Sequence, residues 1–215
     1  MSTVILLIIA YLLGSIPFGW LMIKLAGKGD LRKVGSGGTG ATNVARVAGL
    51  SGFILTWALD MAKTIAAVLL GAHFVSPEFG ALMGLVAVIG HCFPVWLKFK
   101  GGKGNSSMFG VLLATNPIAF ATVGIVWLLV AASSGYSSLG ALVGFVVMPF
   151  LGFAVSFNMG LIFIAIAALC IFQHRENIKR LMRGTESKMQ MNVGKLITAL
   201  VVAGLILIGV VLVVM

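Results

Sequence analysis

The sequence LGALVGFVVMPFLGFAVSFNMGLIFIAIAALCIF occupies residues 139–172 and contains no charged side chain. A helix rises about 1.5 Å per residue and needs about 20 apolar residues to cross the hydrocarbon of a bilayer. This stretch is therefore long enough for more than one membrane element. Other apolar runs cover residues 3–23, 50–70, 79–97, 108–132 and 193–215. The pattern predicts an all-α integral membrane protein, built as a polytopic helical bundle.

The overall composition supports the same fold class. Hydrophobic residues make up 60% of the 215-residue chain, charged residues only 9%, and the mean hydropathy is +1.14. A soluble domain carries roughly 25% charged residues, so this chain has too little polar material to cover a water-facing surface. Because the N-terminal run has neither a basic region nor a small-residue cleavage site, we predict that it is a first span rather than a removed signal peptide.

The basic residues are concentrated in three polar stretches. Lys and Arg number 15, against 5 Asp and Glu. Residues 24–49, 98–107 and 173–192 hold all of them except Lys63, if Lys195 is counted with the third stretch. The positive-inside rule then predicts that these three loops face the cytoplasm and that the N-terminus lies outside.

This orientation constrains residues 107–173, which must leave the cytoplasm and return. Two crossings would share about 65 residues, far more than they need, whereas four would have only about 16 residues each. We therefore predict broken or half-length helices, with breaks at Asn116-Pro117, Met148-Pro149 and Gly152. Two GxxxG pairs, Gly80/Gly84 and Gly140/Gly144, predict close helix packing.

The first polar stretch contains the glycine-rich sequence VGSGGTGATNVAR (34–46). It has the form GxGxxG, but no strand precedes it, and Ala41 stands where a Walker A motif requires Lys, so both nucleotide-binding readings fail. Consecutive glycines still let backbone N–H groups converge on an anion beside a helix start. Polar side chains for such a site follow the glycines: Ser36, Thr42, Asn43 and Arg46. A flexible loop is the alternative interpretation.

The second stretch reads GHCFPVWLKFKGGKGNSS (90–107). Lys98 and Lys100 alternate with apolar residues, as lysines do when they reach from a membrane edge to headgroups. Lys103 differs because it lies among glycines, just before a helix that Asn105 or Ser106 could cap. We predict an anion site there, while His91 alone is more typical of a packed core histidine than of a catalyst.

The third stretch reads HRENIKRLMRGTE (174–186). At helical spacing His174 and Asn177 lie on the apolar side, where polar groups without partners are costly, so we expect them to meet a partner or a substrate. The basic residues of the other face are better explained by lipid headgroups. Inside the second apolar run, Asp60 and Lys63 lie one turn apart, and mutual pairing or support of Arg46 is at least as well favoured as direct chemistry.

These motifs resemble those of the bacterial acyl-phosphate:glycerol-3-phosphate acyltransferase family. The similar segments, in family order over roughly residues 10–190, are GSIPFG (14–19), GSGGTGATNVAR (35–46), HCFPVWLKFKGGKG (91–104) and HRENIKRL (174–181). The resemblance implies about seven membrane elements in an acyltransferase domain (1–192), and the chain would add a further C-terminal span (193–215). It departs from the family pattern at Gly38, Gly135 and residues 105–107.

The resemblance also implies a reaction, its partners and a set of site residues. A fatty acyl group would pass from acyl phosphate to the 1-hydroxyl of sn-glycerol 3-phosphate at the bacterial inner membrane, without metal, cofactor or nucleic acid. Membrane lipid and a soluble acyl-carrier-protein:phosphate acyltransferase would be further partners. The implied catalytic residues are Arg46, Lys103, His174 and Asn177. The implied phosphate-binding residues are Ser36, Gly37, Gly40, Thr42, Asn43, Gly101, Gly102 and Ser138.

Two other functions are compatible with basic loops in a membrane protein. An organic-phosphate transporter would place its site near the bilayer midplane, often within repeats, whereas the basic groups here lie at one membrane edge. A metal-dependent lipid phosphotransferase needs several carboxylates around Mg²⁺. The five carboxylates are scattered along the sequence: Asp30, Asp60, Glu78, Glu176 and Glu186.

The catalytic device of many thioester-dependent acyltransferases is missing from the sequence. These enzymes use a His followed by Asp four positions later, whereas the three histidines here are followed by Pro77, Val95 and Ile178. Neither cysteine lies in a basic loop where it could carry an acyl group. The sequence therefore predicts direct transfer, with the phosphate of the donor accepting the hydroxyl proton.

Overall fold

The structure is a computed structural model that describes residues 2–189 together with Gly194 and Gly209. Within that part of the chain every regular element is helical, which confirms the predicted fold class. The α-helices are α1 (Thr3–Ser15), α2 (Phe18–Leu25), α3 (Ala41–Phe74), α4 (Pro77–Cys92), α5 (Asn105–Thr115), α6 (Pro117–Ser134), α7 (Ser137–Phe153), α8 (Phe157–Gln173) and α9 (Arg175–Met182). The predicted C-terminal span, 193–215, lies outside the described residues except for those two glycines.

In the described part of the chain, three segments are long and apolar enough to cross a membrane by themselves: α3, α6, and α4 with the 3-10 turn that follows it. Two bent pairs bring the number to five if each pair is one span. These are α1 with α2, bent by 40°, and α8 with α9, bent by 58°. The first bend lies at Ile16-Pro17, where proline interrupts the helix. The integral membrane fold is thus supported, while the count of about seven membrane elements stays a prediction.

Residues 107–173 form parts of four helices, α5 to α8, rather than two long broken ones. The first residues of α5, α7 and α9 all border the same cavity, so the chain leaves that end of the bundle and returns twice. Four elements fit because α5 is a half-length helix of 11 residues. The α6–α7 connection therefore lies at the end occupied by the basic loops, although it contains no Lys or Arg.

The predicted break at Asn116-Pro117 is confirmed, since Asn116 caps α6 by accepting a hydrogen bond from the Ala119 N–H at 3.0 Å. The break predicted at Met148-Pro149 is wrong, because α7 continues through Pro149 to Phe153. Gly152 is also helical, and its role is packing: a Cβ there would lie 3.0 Å from the Gly160 Cα of α8. A proline removes only one helical donor, and the helix tolerates it when neighbouring turns stay bonded.

Close helix packing rests on glycines at the crossing points. Gly80 and Gly84 of α4 face Val68 of α3. A Cβ on Gly80 would lie 2.6 Å from the Val68 carbonyl oxygen, and a Cβ on Gly84 would lie 2.8 Å from Val68 Cγ2. Gly140 and Gly144 of α7 face Trp127 and Val123 of α6 in the same way, so both predicted GxxxG contacts are confirmed. The core that they surround contains large, fully buried side chains, among them Met61, Met108, Phe145 and Phe163.

We expect the α1–α4 contact to be intolerant of even one methyl group. A Cβ on Gly14 would lie 2.0 Å from the Ala87 carbonyl oxygen, so Gly14→Ala should separate the helices and cost about 1–3 kcal/mol. Gly124→Ala is the matched control, because its Cβ would have its nearest neighbour, a Phe109 ring atom, at 3.8 Å. Thermal unfolding in detergent should show a lower Tm for Gly14→Ala alone. Equal Tm values would contradict the packing described here.

Candidate active site

The glycine-rich loop is organised by the side chain of Asn43, which is 3% exposed. Its Nδ2 group donates to the carbonyl oxygens of Leu31, Val34 and Gly38 at 3.2, 3.0 and 2.9 Å. Its Oδ1 accepts from the Ser36 N–H at 3.3 Å and from Arg46 Nη1 at 3.0 Å. Asn43 therefore holds the loop and aims Arg46, and its amide has little bonding capacity left for a ligand.

The loop leads directly into the N-terminus of α3. Gly40 is the extended residue before the helix, and α3 bends at Gly49, whose φ of 65° and ψ of −158° are not helical. The first part of α3, residues 41–48, thus lies at the edge of the bundle and carries Arg46. The helix start beside the glycines is as the sequence predicts.

The second loop turns back over the end of α4. Its backbone is held by the Gly101 N–H bonding to the Cys92 carbonyl and the Gly102 N–H bonding to the His91 carbonyl, both at 3.1 Å. Gly104, at φ +87°, is the residue that precedes α5. The capping prediction for Asn105 and Ser106 is wrong: both already belong to the helix, and a left-handed glycine makes the turn instead.

The third stretch bends between α8 and α9 at His174. Because a carbonyl oxygen can only accept, the 2.8 Å contact between His174 Nδ1 and the Cys170 carbonyl places the proton on Nδ1 of the neutral ring, leaving Nε2 as an acceptor. One turn later, Asn177 Oδ1 accepts a hydrogen bond from Lys103 Nζ at 2.5 Å. This hydrogen bond joins the third stretch to the second loop. Both His174 and Asn177 are buried.

All three stretches border one cavity of about 620 Å³, a volume typical of small-molecule sites. Ten of the twelve predicted site residues line it: Ser36, Gly40, Thr42, Asn43, Arg46, Gly102, Lys103, Ser138, His174 and Asn177. Gly37 and Gly101 are not part of the lining and shape the loops instead. Gly37 makes a turn at φ +68°, and Gly101 packs against Pro94.

Sequence reasoning missed Glu186, which lies at the centre of the polar end. Its Oε1 accepts hydrogen bonds from Ser138 at 2.7 Å and from Asn177 at 2.6 Å, and its Oε2 accepts one from Arg180 at 2.6 Å. Burial by itself would raise the pKa of Glu186, but these three donors outweigh it and hold the pKa below its ordinary value. One feature of the sequence could have pointed to Glu186, because it is an acidic residue within a strongly basic stretch.

The segment that follows Glu186 crosses the mouth of the site. Arg46 Nη2 donates to Ser187 Oγ at 3.1 Å, and the Met189 N–H bonds to the Gly135 carbonyl at 2.8 Å. Gly135 has a φ of +80°, so the absence of a side chain suits the end of α6. Ser187, Lys188 and Met189 thereby join the cavity lining.

The other half of the cavity is apolar and was not predicted from the sequence. Aromatic side chains from three helices line it: Phe53 and Trp57 of α3, Phe109 of α5, and Phe120 and Trp127 of α6. The Trp127 indole N–H donates to the Ser137 carbonyl at 3.2 Å, which fixes the ring at the border between the two halves. The site is therefore amphipathic, with a cationic end and an aromatic wall.

Electrostatics at the polar end favour an anion. The first residues of α3 and α5 line the cavity, and helix N-termini present free N–H groups and positive potential. Arg46 and Lys103 add formal charge. Burial, with a further contribution from Arg180 and Arg46 against the opposing Glu186, lowers the pKa of Lys103 to about 8. Among the described residues, no three His, Cys, Asp or Glu side chains come together as a metal-binding group.

Asp60 and Lys63 pair with each other at 2.8 Å, as one of the predicted alternatives proposed. The other alternative, support of Arg46, is wrong, since Arg46 bonds to Asn43 and Ser187.

A sequence profile described as "Glycerol-3-phosphate acyltransferase" matches residues 4–184 of the chain. The chain belongs to this family. The glycerol-3-phosphate acyltransferase of Sinorhizobium medicae is 44% identical over 188 residues, which cover 87% of this chain and 92% of that protein. The protein of the same name from Rhodopseudomonas palustris is 45% identical over 183 residues, covering 85% and 93%.

Two crystal structures of an acyltransferase of this family have the same fold. Both are of PlsY (YgiH), described as an integral membrane glycerol 3-phosphate acyltransferase. The glycerol 3-phosphate form has a TM-score of 0.84 and 36% identity, covering 92% of this chain and 99% of that one. The lysophosphatidic acid form has a TM-score of 0.82 and 35% identity, covering 92% and 100%. These matches confirm the predicted family and membrane fold and leave the transporter alternative without support.

We expect Lys103 of this acyltransferase to titrate near pH 8, and bound phosphate to raise its pKa, because an anion stabilises the ammonium form. Trace labelling with an amine-acylating reagent across a pH series, read by mass spectrometry, would give the midpoint. The exposed Lys179 is the internal standard for reagent reactivity. A midpoint near the ordinary lysine value of about 10.4, unmoved by phosphate, would contradict the burial described here.

Proposed function

We propose that the chain transfers a fatty acyl group from an acyl phosphate to the 1-hydroxyl of sn-glycerol 3-phosphate, giving 1-acyl-glycerol 3-phosphate and inorganic phosphate. The observation that supports this most directly is the two-part cavity. Its cationic end suits two phosphate groups, and its aromatic wall suits an acyl chain. A reaction between a small polar acceptor and a lipid-like donor requires a site with both a polar half and an apolar half.

In this proposal the polar groups have separate tasks. Arg46 with the start of α3, and Lys103 with the start of α5, hold the two phosphates, because guanidinium and ammonium groups bind phosphate through charge-assisted hydrogen bonds. Ser36 and Thr42 add hydroxyl groups beside Arg46. His174 Nε2 and Asn177 orient the acceptor, since both are buried in the lining.

The transfer step needs no covalent enzyme intermediate. The 1-hydroxyl oxygen attacks the acyl carbonyl carbon, its proton passes to a phosphate oxygen of the donor, and the bond between the acyl carbon and the phosphate oxygen breaks. His174 is a weak candidate for the base because its Nδ1–H bonds to a neutral carbonyl rather than to a carboxylate. The chain then contributes orientation and positive charge where charge develops.

The proposed location is the bacterial inner membrane, with the site facing the cytoplasm. Convergence of the three basic stretches on one cavity supports a common side for them, and the positive-inside rule assigns that side. An acyl phosphate would then come from a soluble acyl-carrier-protein:phosphate acyltransferase in the same compartment, and membrane lipid would surround the apolar wall.

Purified protein should form labelled 1-acyl-glycerol 3-phosphate from labelled glycerol 3-phosphate and acyl phosphate. Acyl-CoA and acyl carrier protein should be poor donors, and a chelator should leave the rate unchanged. Arg46→Ala and Lys103→Ala should each lower kcat/KM by about 10²-fold or more, because each removes charge-assisted contacts to phosphate.

The matched controls for these substitutions are Lys98→Ala and Lys100→Ala, two exposed lysines of the same loop region. Each should change kcat/KM by less than about threefold, as expected for exposed charges. If all four variants lose activity alike, the distinction between site and surface fails.

Orientation can be tested by single cysteines, since the native Cys92 and Cys170 are buried. Cysteines placed at Ser36 and Thr185 should resist an impermeant thiol reagent in intact cells, because the membrane shields the cytoplasmic face. Val75→Cys, in the α3–α4 connection at the other end of α3, should react. Labelling in the reverse pattern would overturn the orientation.

A further inference from the structure

Among the described residues, an acid, a lysine and a histidine lie together inside the bundle and take no part in the chemistry proposed above, although the histidine, His91, also borders the cavity. Asp60 and Lys63 belong to α3, His91 belongs to the last turn of α4, and their exposed fractions are 1%, 5% and 5%. Ionisable groups are costly in a membrane segment, so their presence calls for a specific role.

The Lys63 ammonium group has three close polar neighbours. It contacts Asp60 Oδ1 at 2.8 Å, the Ile16 carbonyl at 2.7 Å and His91 Nδ1 at 3.1 Å. His91 Nδ1 also lies 3.4 Å from Asp60 Oδ1, so both members of the ion pair face this edge of the ring. Lys63 and Asp60 together therefore fix the position of the His91 ring.

The opposite edge of the same ring supports the loop that carries Lys103. A Cβ added to Gly102 would lie 2.0 Å from His91 Nε2, so the loop backbone rests directly on the ring. The Gly102 N–H also bonds to the His91 carbonyl at 3.1 Å. Both the backbone and the side chain of His91 thus hold this loop.

The other end of the arrangement is anchored at the break between α1 and α2. Ile16 precedes Pro17, which has no N–H group, and the Ile16 carbonyl receives the 2.7 Å hydrogen bond from Lys63. A continuous chain of contacts therefore runs from this break through Lys63 and His91 to Gly102.

Resting on the function proposed above, we propose that Asp60, Lys63 and His91 form a positioning triad. From inside the bundle, this triad holds the 101–104 loop so that Lys103 faces the substrate phosphate. None of the three touches a substrate in this role.

General stabilisation of the bundle is the competing explanation, but the energetics do not favour it. A buried ion pair gives little net stability, and apolar residues of similar volume often replace one without loss. Moreover, both carboxylate oxygens of Asp60 are buried and have no hydrogen-bond partner among the described residues, although Oδ1 forms the ion pair with Lys63. Burying these charges therefore costs free energy of folding. In return, the polar contacts fix the direction of the His91 ring better than an apolar contact would.

The first test variant is His91→Asn, which keeps an oxygen acceptor for Lys63 but withdraws the ring edge from Gly102. Without this support the loop should move and expose Lys103 to water. The midpoint of Lys103 labelling should then rise by about one pH unit or more, because burial is what lowers the lysine pKa. The KM for glycerol 3-phosphate should rise about tenfold or more, because Lys103 no longer holds its place.

Rescue distinguishes positioning from general damage. Gly102→Ala alone should impair the protein, since its methyl group would overlap the His91 ring. Combined with His91→Asn, the same methyl group refills the vacated space and should recover part of both the Lys103 midpoint and the KM. Simple addition of the two losses would count against the proposal.

A second variant, Asp60→Asn with Lys63→Met, removes both charges together and so leaves no lone buried charge. It should reproduce the higher Lys103 midpoint and the higher KM. The matched control is Asp30→Asn with Arg32→Met, which likewise removes both charges of an ion pair, here one of 2.7 Å on the exposed surface. Neither readout should move in the control.

The outcomes separate the triad from the proposed function. If the variants fold and their Lys103 labelling midpoint equals that of the wild type, the positioning role is overturned. It is also overturned if both His91→Asn and the double variant fail to fold, because the triad would then act only on stability. If the wild-type protein shows no acyltransferase activity, the proposed function fails, and the labelling midpoint alone still decides whether the triad positions Lys103.

Discussion

Hydrocarbon provides no hydrogen-bond partners, and this constraint decides where the polar side chains of the chain lie. The three basic stretches meet at one end of the helical bundle, where backbone N–H groups, carbonyls and water are available. Asp60, Lys63 and His91 are exceptions inside the bundle, where Lys63 lies against Asp60 Oδ1, the Ile16 carbonyl and His91 Nδ1. The same constraint explains why helices start at caps such as Asn116 and cross at glycines.

At the polar end, neutral amides hold the structure and leave the cations available. Asn43 binds three carbonyls and steers Arg46, while Asn177 joins Lys103 to Glu186. If ion pairs held the loop instead, its guanidinium and ammonium groups would already be paired within the protein. Because amides make those contacts, the charges of Arg46 and Lys103 stay available to an anion in the cavity.

Gly38 and Gly135, two of the expected departures from the family pattern, lie where the structure accommodates glycine. A Cβ at Gly38 would meet only the Ser36 hydroxyl, at 3.6 Å, so the position does not depend on glycine. Gly135 ends α6 in a left-handed conformation and accepts the Met189 N–H, a role that its backbone fulfils. Agreement with the PlsY structure at a TM-score of 0.84 and 36% identity shows that the helical frame persists while the sequence varies.

The sequence by itself determined the membrane class, the three basic stretches and the family, because apolar runs, charge clusters and motifs are local properties of the chain. Only the tertiary structure decided which residues meet. It placed Glu186 between Ser138 and Asn177, set His91 against Gly102, and divided residues 107–173 among four helices rather than two. Helix crossings and contacts between distant residues depend on shape in three dimensions, so neither hydropathy nor spacing could reveal them.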